Sequence, residues 1–142
     1  MRYAYPFTLT PDEDGRLVVA FPDVRGASTD GGDEREAVAN AQDCLIAALI
    51  AHMEQRRPLP RPSPARGRPI VPLPPLIAAK LALYEAMLER EIGAADLARR
   101  MAVSEAHVQR LLDLDHRSDI SQIGAALTKL GKRLEIRVSN AA

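Results

Sequence analysis

Tryptophan is absent from this 142-residue chain, cysteine occurs once, and aromatic residues make up only 4 %. A core must therefore come mainly from Ala, Leu, Ile and Val, a composition that favours helices. The lone Cys44 excludes an internal disulfide, and its place in an apolar helical run reads as a small buried hydrophobe. No apolar run approaches the roughly 20 residues of a membrane span. The opening "MRYAYPFTLTPDEDG" turns polar within about ten residues, unlike a secretory leader. These absences lead to the expectation of a soluble protein of the reducing cytoplasm, without membrane partners. Net charge is also lacking, with 19 basic and 19 acidic residues, but its distribution is uneven. Residues 1–56 carry five Arg against ten acids, a net of −5; residues 57–75 carry four Arg and no acid; residues 76–142 come to +1. A uniform nucleic-acid surface is not laid out this way.

What is present divides into three segments. In residues 1–57, "RYAYPFTLT" and "GRLVVAFPD" read as strands joined by the Asp-Gly turn of "PDEDG". "GASTDGG" reads as a short third strand ending at Gly31-Gly32. Asp33 then caps a helix, with Glu36 at the capping-box position. Val38, Ala41, Leu45, Ala48, Leu49 and Met53 recur at helical spacing as its apolar stripe. Residues 58–75 hold eight of the eleven prolines, so no helix crosses them, and they read as an extended linker. Within it, "PIVP" (Pro69–Pro72) can add a short edge strand. Residues 76–142 are helical: "LIAAKLALYEAMLER", two short helices in "GAADLARRMAVSEAHVQRLLD", and "SDISQIGAALTKLGK". The closing "KRLEIRV" alternates Leu134, Ile136 and Val138 with charges and reads as a terminal strand. The expected fold class is an α+β N-terminal domain followed by a small all-α domain with a terminal strand.

The glycines and aspartates of "FPDVRGASTDGGD" raise the question of an active site. Their spacing matches neither a dinucleotide nor a P-loop fingerprint. A two-metal nuclease needs several carboxylates projecting from strand interiors, and Tyr3–Thr10 and Leu17–Phe21 offer none. Asp12, Glu13 and Asp14 crowd a turn instead. His52, His107 and His116 do not share metal-ligand spacing, and His52, at a helix end, reads as a cation complementing the dipole. No metal, cofactor or catalytic residue is expected. A regulator whose N-terminal domain senses a small molecule stands as an alternative, although convergent polar groups among aromatics are few.

The two short helices of residues 93–113 have the spacing of a helix-turn-helix. Ala98 sits where the helices approach, Val103 in the turn, and Ser104 at the second N-cap. That helix would offer Ser104, Glu105, His107, Gln109 and Arg110 to base edges or phosphates, with Arg117 and Ser118 holding the backbone. Ala102, in the turn position that favours glycine, is expected to carry a modest strain. A plain helical hairpin with a solvated face satisfies the same pattern.

With both halves read, the chain resembles the HicB family of type II antitoxins. The N-terminal likeness lies in "YPFTLTPDEDGRLVVAFPDVRGASTDGGDEREAVANAQDCLIAALI". It comprises a Tyr-Pro start, Gly after an acidic turn, Phe-Pro-Asp, a Thr-Asp-Gly turn and a Glu-Ala-x-x-x-Ala helix. "LYEAMLER", "DLARRMAVSEAHVQRLLD" and "HRSDISQIGAALTKLGKRLEIRV" are similar to the subgroup with a Cro/repressor-like helix-turn-helix; Arg25, Ser28 and Ala102 depart from the pattern. The resemblance implies a β-β-β-α-β domain shaped like part of a ribonuclease H fold. It further implies a small basic toxin, HicA, an mRNA interferase, as the protein partner, operator DNA as the second partner, and a homodimer or higher homo-oligomer. The −5 segment suits such a toxin. Asp23, Asp30, Asp33, Glu34 and Glu36 are then the candidates for the toxin-binding face, against the alternative of a merely solvated acidic surface.

Overall fold

Phe7 divides what reads as one opening strand into two. In the computed structural model, which describes residues 3–140, strand β1 (Ala4–Pro6) and strand β2 (Thr8–Pro11) flank it and pair with different partners. β2, β3 (Leu17–Ala20) and β4 (Ser28–Gly31) form an antiparallel three-stranded meander, with Leu9 opposite Val19 and Val18 opposite Asp30. β1 instead pairs antiparallel with β5 (Ile70–Pro72), Tyr5 facing Val71. Phe7 is buried at the switch and donates its amide to Pro69 O at 2.9 Å. Its ring lies 5.9 Å from that of Phe21, tilted by 49°, within the favoured range for aromatic pairs.

The β2–β3 turn is organised by Asp12. Its Oδ1 accepts from the amides of Asp14 and Arg16, and Gly15 supplies a φ of 79° that a side-chain-bearing residue adopts only with strain. Helix α1 (Glu34–Glu54) follows β4 and covers the meander. Its buried stripe is Ala37, Ala41, Leu45 and Leu49, whereas Val38 is 40 % exposed. Ala41, Leu45 and Leu49 of the expected stripe are thus buried, and only at its start does Ala37 take the inward place of Val38. The cause is a close approach: a Cβ on Gly31 would lie 2.6 Å from Ala37 Cα. Only glycine lets the helix backbone seat there.

The Pro-rich segment differs most from an open spacer. Leu59, Val71 and Leu73 are buried, Tyr5 donates its hydroxyl to Pro60 O at 2.7 Å, and Asp23 Oδ2 accepts from both the amide and the hydroxyl of Ser63 at 2.8 Å. Arg68 donates to Ser63 Oγ, Pro64 O and Ala65 O. Residues 1–78 accordingly group as one compact unit and residues 79–142 as another.

The C-terminal unit takes up α2 (Pro75–Arg90) from Ala79 onward, then α3 (Ala94–Met101), α4 (Glu105–Leu112) and α5 (Ile120–Lys129). Pro75 opens α2 in the first helical position, where its missing amide is harmless. Leu81, Leu97, Val108, Leu111, Ile123 and Leu130 form the dry centre. The alternating tail corrects the sequence expectation: residues 132–140 are irregular, and no strand forms there. A strand requires an edge to hydrogen-bond with, and the helices of this unit offer none. Among the described residues no helix is long and apolar enough to cross a membrane.

Gly31→Ala is expected to destabilise the N-terminal unit by about 2 kcal/mol through forced separation of β4 and α1. Gly32→Ala, whose Cβ meets nothing nearer than 3.7 Å, should change stability by less than about 0.5 kcal/mol. Denaturant unfolding of the full chain distinguishes the two.

Candidate partner-binding surfaces

The candidate acids of the N-terminal unit fall into different environments. Arg16, just before β3, crosses to Asp30 on β4, with Nε to Oδ2 at 3.1 Å and Nη2 to Oδ1 at 3.3 Å. The hydrogen bond and charge of Arg16 hold the Asp30 carboxyl below its ordinary range. Glu36 Oε1 lies 3.8 Å from the same guanidinium, so Arg16 gathers Asp30 and Glu36. Asp33 caps α1 by accepting from the Glu36 amide at 2.8 Å. Glu34 and Glu36 occupy the first turn of α1, where negative charge complements the helix dipole. Both are exposed. Asp23 stands apart from this group: it is half-buried and committed to Ser63.

Other polar groups of this unit lack catalytic arrangement. Cys44 is half-buried, donates to Ser28 O at 3.6 Å, and is pushed up in pKa by burial, which suppresses the thiolate. His52 departs from the reading as a dipole-compensating cation. Burial, aided by the nearby charge of Arg57, lowers its pKa and favours the neutral ring. A shallow open notch of about 250 Å³ is lined by Arg25, His52, Gln55 and Arg57 among others, without an aromatic wall. Among the described residues, no three His, Cys, Asp or Glu side chains gather closely enough to hold a metal ion.

In the C-terminal unit, α3 and α4 are joined by the three residues 102–104. Ala102 closes α3 in the left-handed region (φ 57°, ψ 43°), its amide reaching Arg99 O, while Val103 N reaches Ala98 O at 3.0 Å. Ser104 caps α4 by accepting from the His107 amide at 3.1 Å. Ala98 is buried at the helix approach, as its size permits, but Val103 is only half-buried. Ser104, Glu105, Gln109 and Arg110 are exposed along α4, and Arg117 is exposed in the following loop; His107 is half-buried. Ser118 is half-buried and engaged internally, donating to Arg110 O at 3.2 Å.

That engagement leads to a residue the sequence pattern did not single out. Lys80 on α2 is fully buried, and its Nζ donates to Arg110 O, Asp113 O and His116 O at 2.9, 2.6 and 2.8 Å and to Ser118 Oγ at 2.8 Å. The ammonium thereby satisfies carbonyls at the C-terminus of α4 and in the loop beyond, where a cation also suits the dipole. Burial lowers its pKa, partly offset by the charge of Asp113.

Comparison with known proteins covers most of the chain. Residues 4–82 match the family model described as HicB-like antitoxin of bacterial toxin–antitoxin systems. Antitoxin HicB 2 of Photorhabdus laumondii subsp. laumondii is 40 % identical over 132 residues, covering 93 % of this chain and 94 % of the relative. Antitoxin HicB of Escherichia coli K12 is 35 % identical over 133 residues, 93 % and 96 % of the two chains. Antitoxin HicB of Pseudomonas fluorescens is 31 % identical over 132 residues, 92 % and 90 %. The chain belongs to the HicB-like antitoxin family.

Lys80→Met keeps an unbranched chain but removes the donor that ties the Arg110, Asp113 and His116 carbonyls and Ser118 Oγ together. It should lower the stability of the C-terminal unit by about 3 kcal/mol. Amide hydrogen exchange is expected to quicken across Glu105–Leu112 while α1 keeps its protection.

Proposed function

We propose that this antitoxin neutralises a HicA-like mRNA interferase through its N-terminal unit and represses its own operon through α3 and α4. It would act in the cytoplasm as a homo-oligomer and without enzymatic activity. The observation carrying the toxin half is the match of the family model to residues 4–82; the excess of acid lies in the part of it before residue 57. Neutralisation follows from cover: an acidic surface occupies the basic face that the toxin would otherwise present to RNA phosphates. Of the five candidate acids, Glu34 and Glu36 are best placed, at the exposed start of α1. Asp30 and Asp33 support them through Arg16 and the helix cap, and Asp23 holds the Ser63 segment.

The operator half is supported by the short α3–α4 pair and by the exposed polar row of α4. Gln109 and Arg110 are the side chains best suited to base edges, Ser104 and Glu105 border them at the helix start, and Arg117 is placed for a phosphate. His107 and Ser118 contribute mainly by shaping this surface. With a C-terminal charge of only +1, sequence-independent attraction to DNA is weak, so two recognition helices on a symmetric site suit this protein better than one.

Co-expression with the toxin from the same operon should yield a stable complex with the full chain. Glu34→Lys with Glu36→Lys should weaken that complex at least tenfold, with a smaller loss at high salt. Unchanged affinity would remove the α1 start from the docking surface, and failure of the wild-type chain to bind the toxin would overturn the neutralising role.

Arg110→Ala is expected to reduce operator affinity about 5- to 150-fold and to relax base preference at one position of each half-site. Arg117→Ala should weaken all sequences alike and reduce the salt slope. An operator titration that Arg110→Ala leaves unaltered would exclude α4 as the reading helix.

A further inference from the structure

The acid excess of the N-terminal unit ends with α1. Residues 55–78 carry five Arg and no acid, and because the Pro-rich segment is folded onto this unit, their charge is fixed in place and does not trail on a tether. Three stretches of chain gather it. The turn from Phe21 to Ala27 displays Arg25: Val24 N donates to Phe21 O, Ala27 N donates to Val24 O, and Gly26 takes a φ of 82°. The end of α1 adds His52, Gln55 and Arg57, which line the shallow notch of about 250 Å³ together with Arg25. Ser63, bonded to Asp23, fastens the Pro-rich segment to the same turn, and Arg61 is exposed just before that anchor. We propose that this basic end of the N-terminal unit grips the phosphodiester backbone of duplex DNA without regard to base sequence.

The chemistry of the notch selects an anion. Among the described residues no carboxylate is paired with the Arg25 guanidinium, and Arg57 is held by Gln55, with Nη1 donating to Oε1 at 3.0 Å. Guanidinium forks match phosphate oxygens. The last carbonyls of α1 are already taken, by the amides of Gln55, Arg56 and Arg57, so the helix end does not confront an anion with bare oxygens. Of the nearer acids, Asp23 is committed to Ser63 and Glu54 stands against the arginines on both sides of it in the fold. Glu36 and His52 are about 24 Å apart along α1, well beyond the screening length of about 8 Å at physiological salt. The openness of the notch then selects a polymer. It is too shallow to enclose a small molecule as a ligand pocket does, whereas a phosphate projecting from a backbone has only to be reached. Single strands are held largely by stacking on aromatic side chains, and all five aromatics of this chain are buried. Duplex DNA needs no such platform. The C-terminal unit, at a net +1, supplies little of the sequence-independent attraction that DNA binding draws on, and the basic end of the N-terminal unit supplies it.

This inference deepens the operator reading above, and one set of titrations separates the two. The full-length chain is titrated by fluorescence anisotropy against operator duplex and against a duplex of scrambled sequence, over a range of salt. Arg25→Gln with Arg57→Gln should lower affinity for both duplexes by the same factor, at least tenfold at low salt. It should also flatten the salt slope by about 1.8, and each single exchange by about 0.9, the value of one lost phosphate contact. Denaturant unfolding of these variants should match the wild type, since both side chains are exposed. Arg35→Gln removes an exposed cation from the acidic start of α1 and should leave the slope unaltered. An unchanged slope in the double variant, an equal loss from Arg35→Gln, or a loss confined to the operator duplex would overturn the proposal. So would a loss seen with single-stranded RNA and not with duplex DNA. A chain that holds the scrambled duplex through Arg25 and Arg57 but shows no operator preference would uphold this inference and overturn the operator reading.

Discussion

The buried ammonium of Lys80 is the constraint around which the C-terminal unit is arranged. A fully enclosed cation is tolerated only where its hydrogens find acceptors, and here the acceptors are the Arg110, Asp113 and His116 carbonyls, at the end of α4 and in the loop to residue 118. The two needs answer each other: the helix end requires donors, and the lysine requires oxygens. The polar row of α4 and the loop carrying Arg117 therefore stand on a rigid base, and the exposed side chains can be exchanged without disturbing the support beneath them. Ser118, at 2.8 Å from the ammonium, links the loop to that base.

The N-terminal unit solves the corresponding problem differently. With few aromatics to fill space, it concentrates four of the five in residues 3–21 and seats α1 on β4 through an alanine stripe and the bare backbone of Gly31. Small residues allow close approach, and close approach replaces side-chain bulk as the source of packing. Arg16 performs the analogous task at the surface, bringing Asp30 and Glu36 together beside the capped start of α1. The acids around the start of α1 are thereby held in place by a neighbouring cation.

Much of the local structure was legible in the sequence because its causes are local. The Asp-Gly turn, the Asp33 and Ser104 caps, the helix interrupted at Ala102 and the short strand in "PIVP" all follow from neighbouring residues. What escaped reading depends on distant ones. The break at Phe7 is decided by which strand each side pairs with. Lys80 lies 30 to 38 residues from its acceptors, and its helical position alone gives no sign that it is buried. The Pro-rich segment has the composition of a spacer, yet Leu59, Ser63 and Val71 attach it to the first unit. The inward place of Ala37 rather than Val38 at the start of α1 goes with the Gly31 contact, which apolar periodicity does not encode. For the candidate surfaces, the residue types of α4 were readable but the internal commitment of Ser118 and Asp23 was not.

The pairing of β1 with β5 joins Tyr5 to Val71, almost the full length of the first unit. During synthesis this closure waits until the whole Pro-rich segment has emerged, several seconds after β1 at about 5–20 residues per second, and the wide loop makes it intrinsically slow. A chain cut after α1 would keep the meander and helix but leave β1 as an open edge, with the Tyr5 hydroxyl deprived of Pro60. The nascent antitoxin is therefore incomplete until its prolines are in place, and the segment that resembles a tether is the closing piece of the unit it follows.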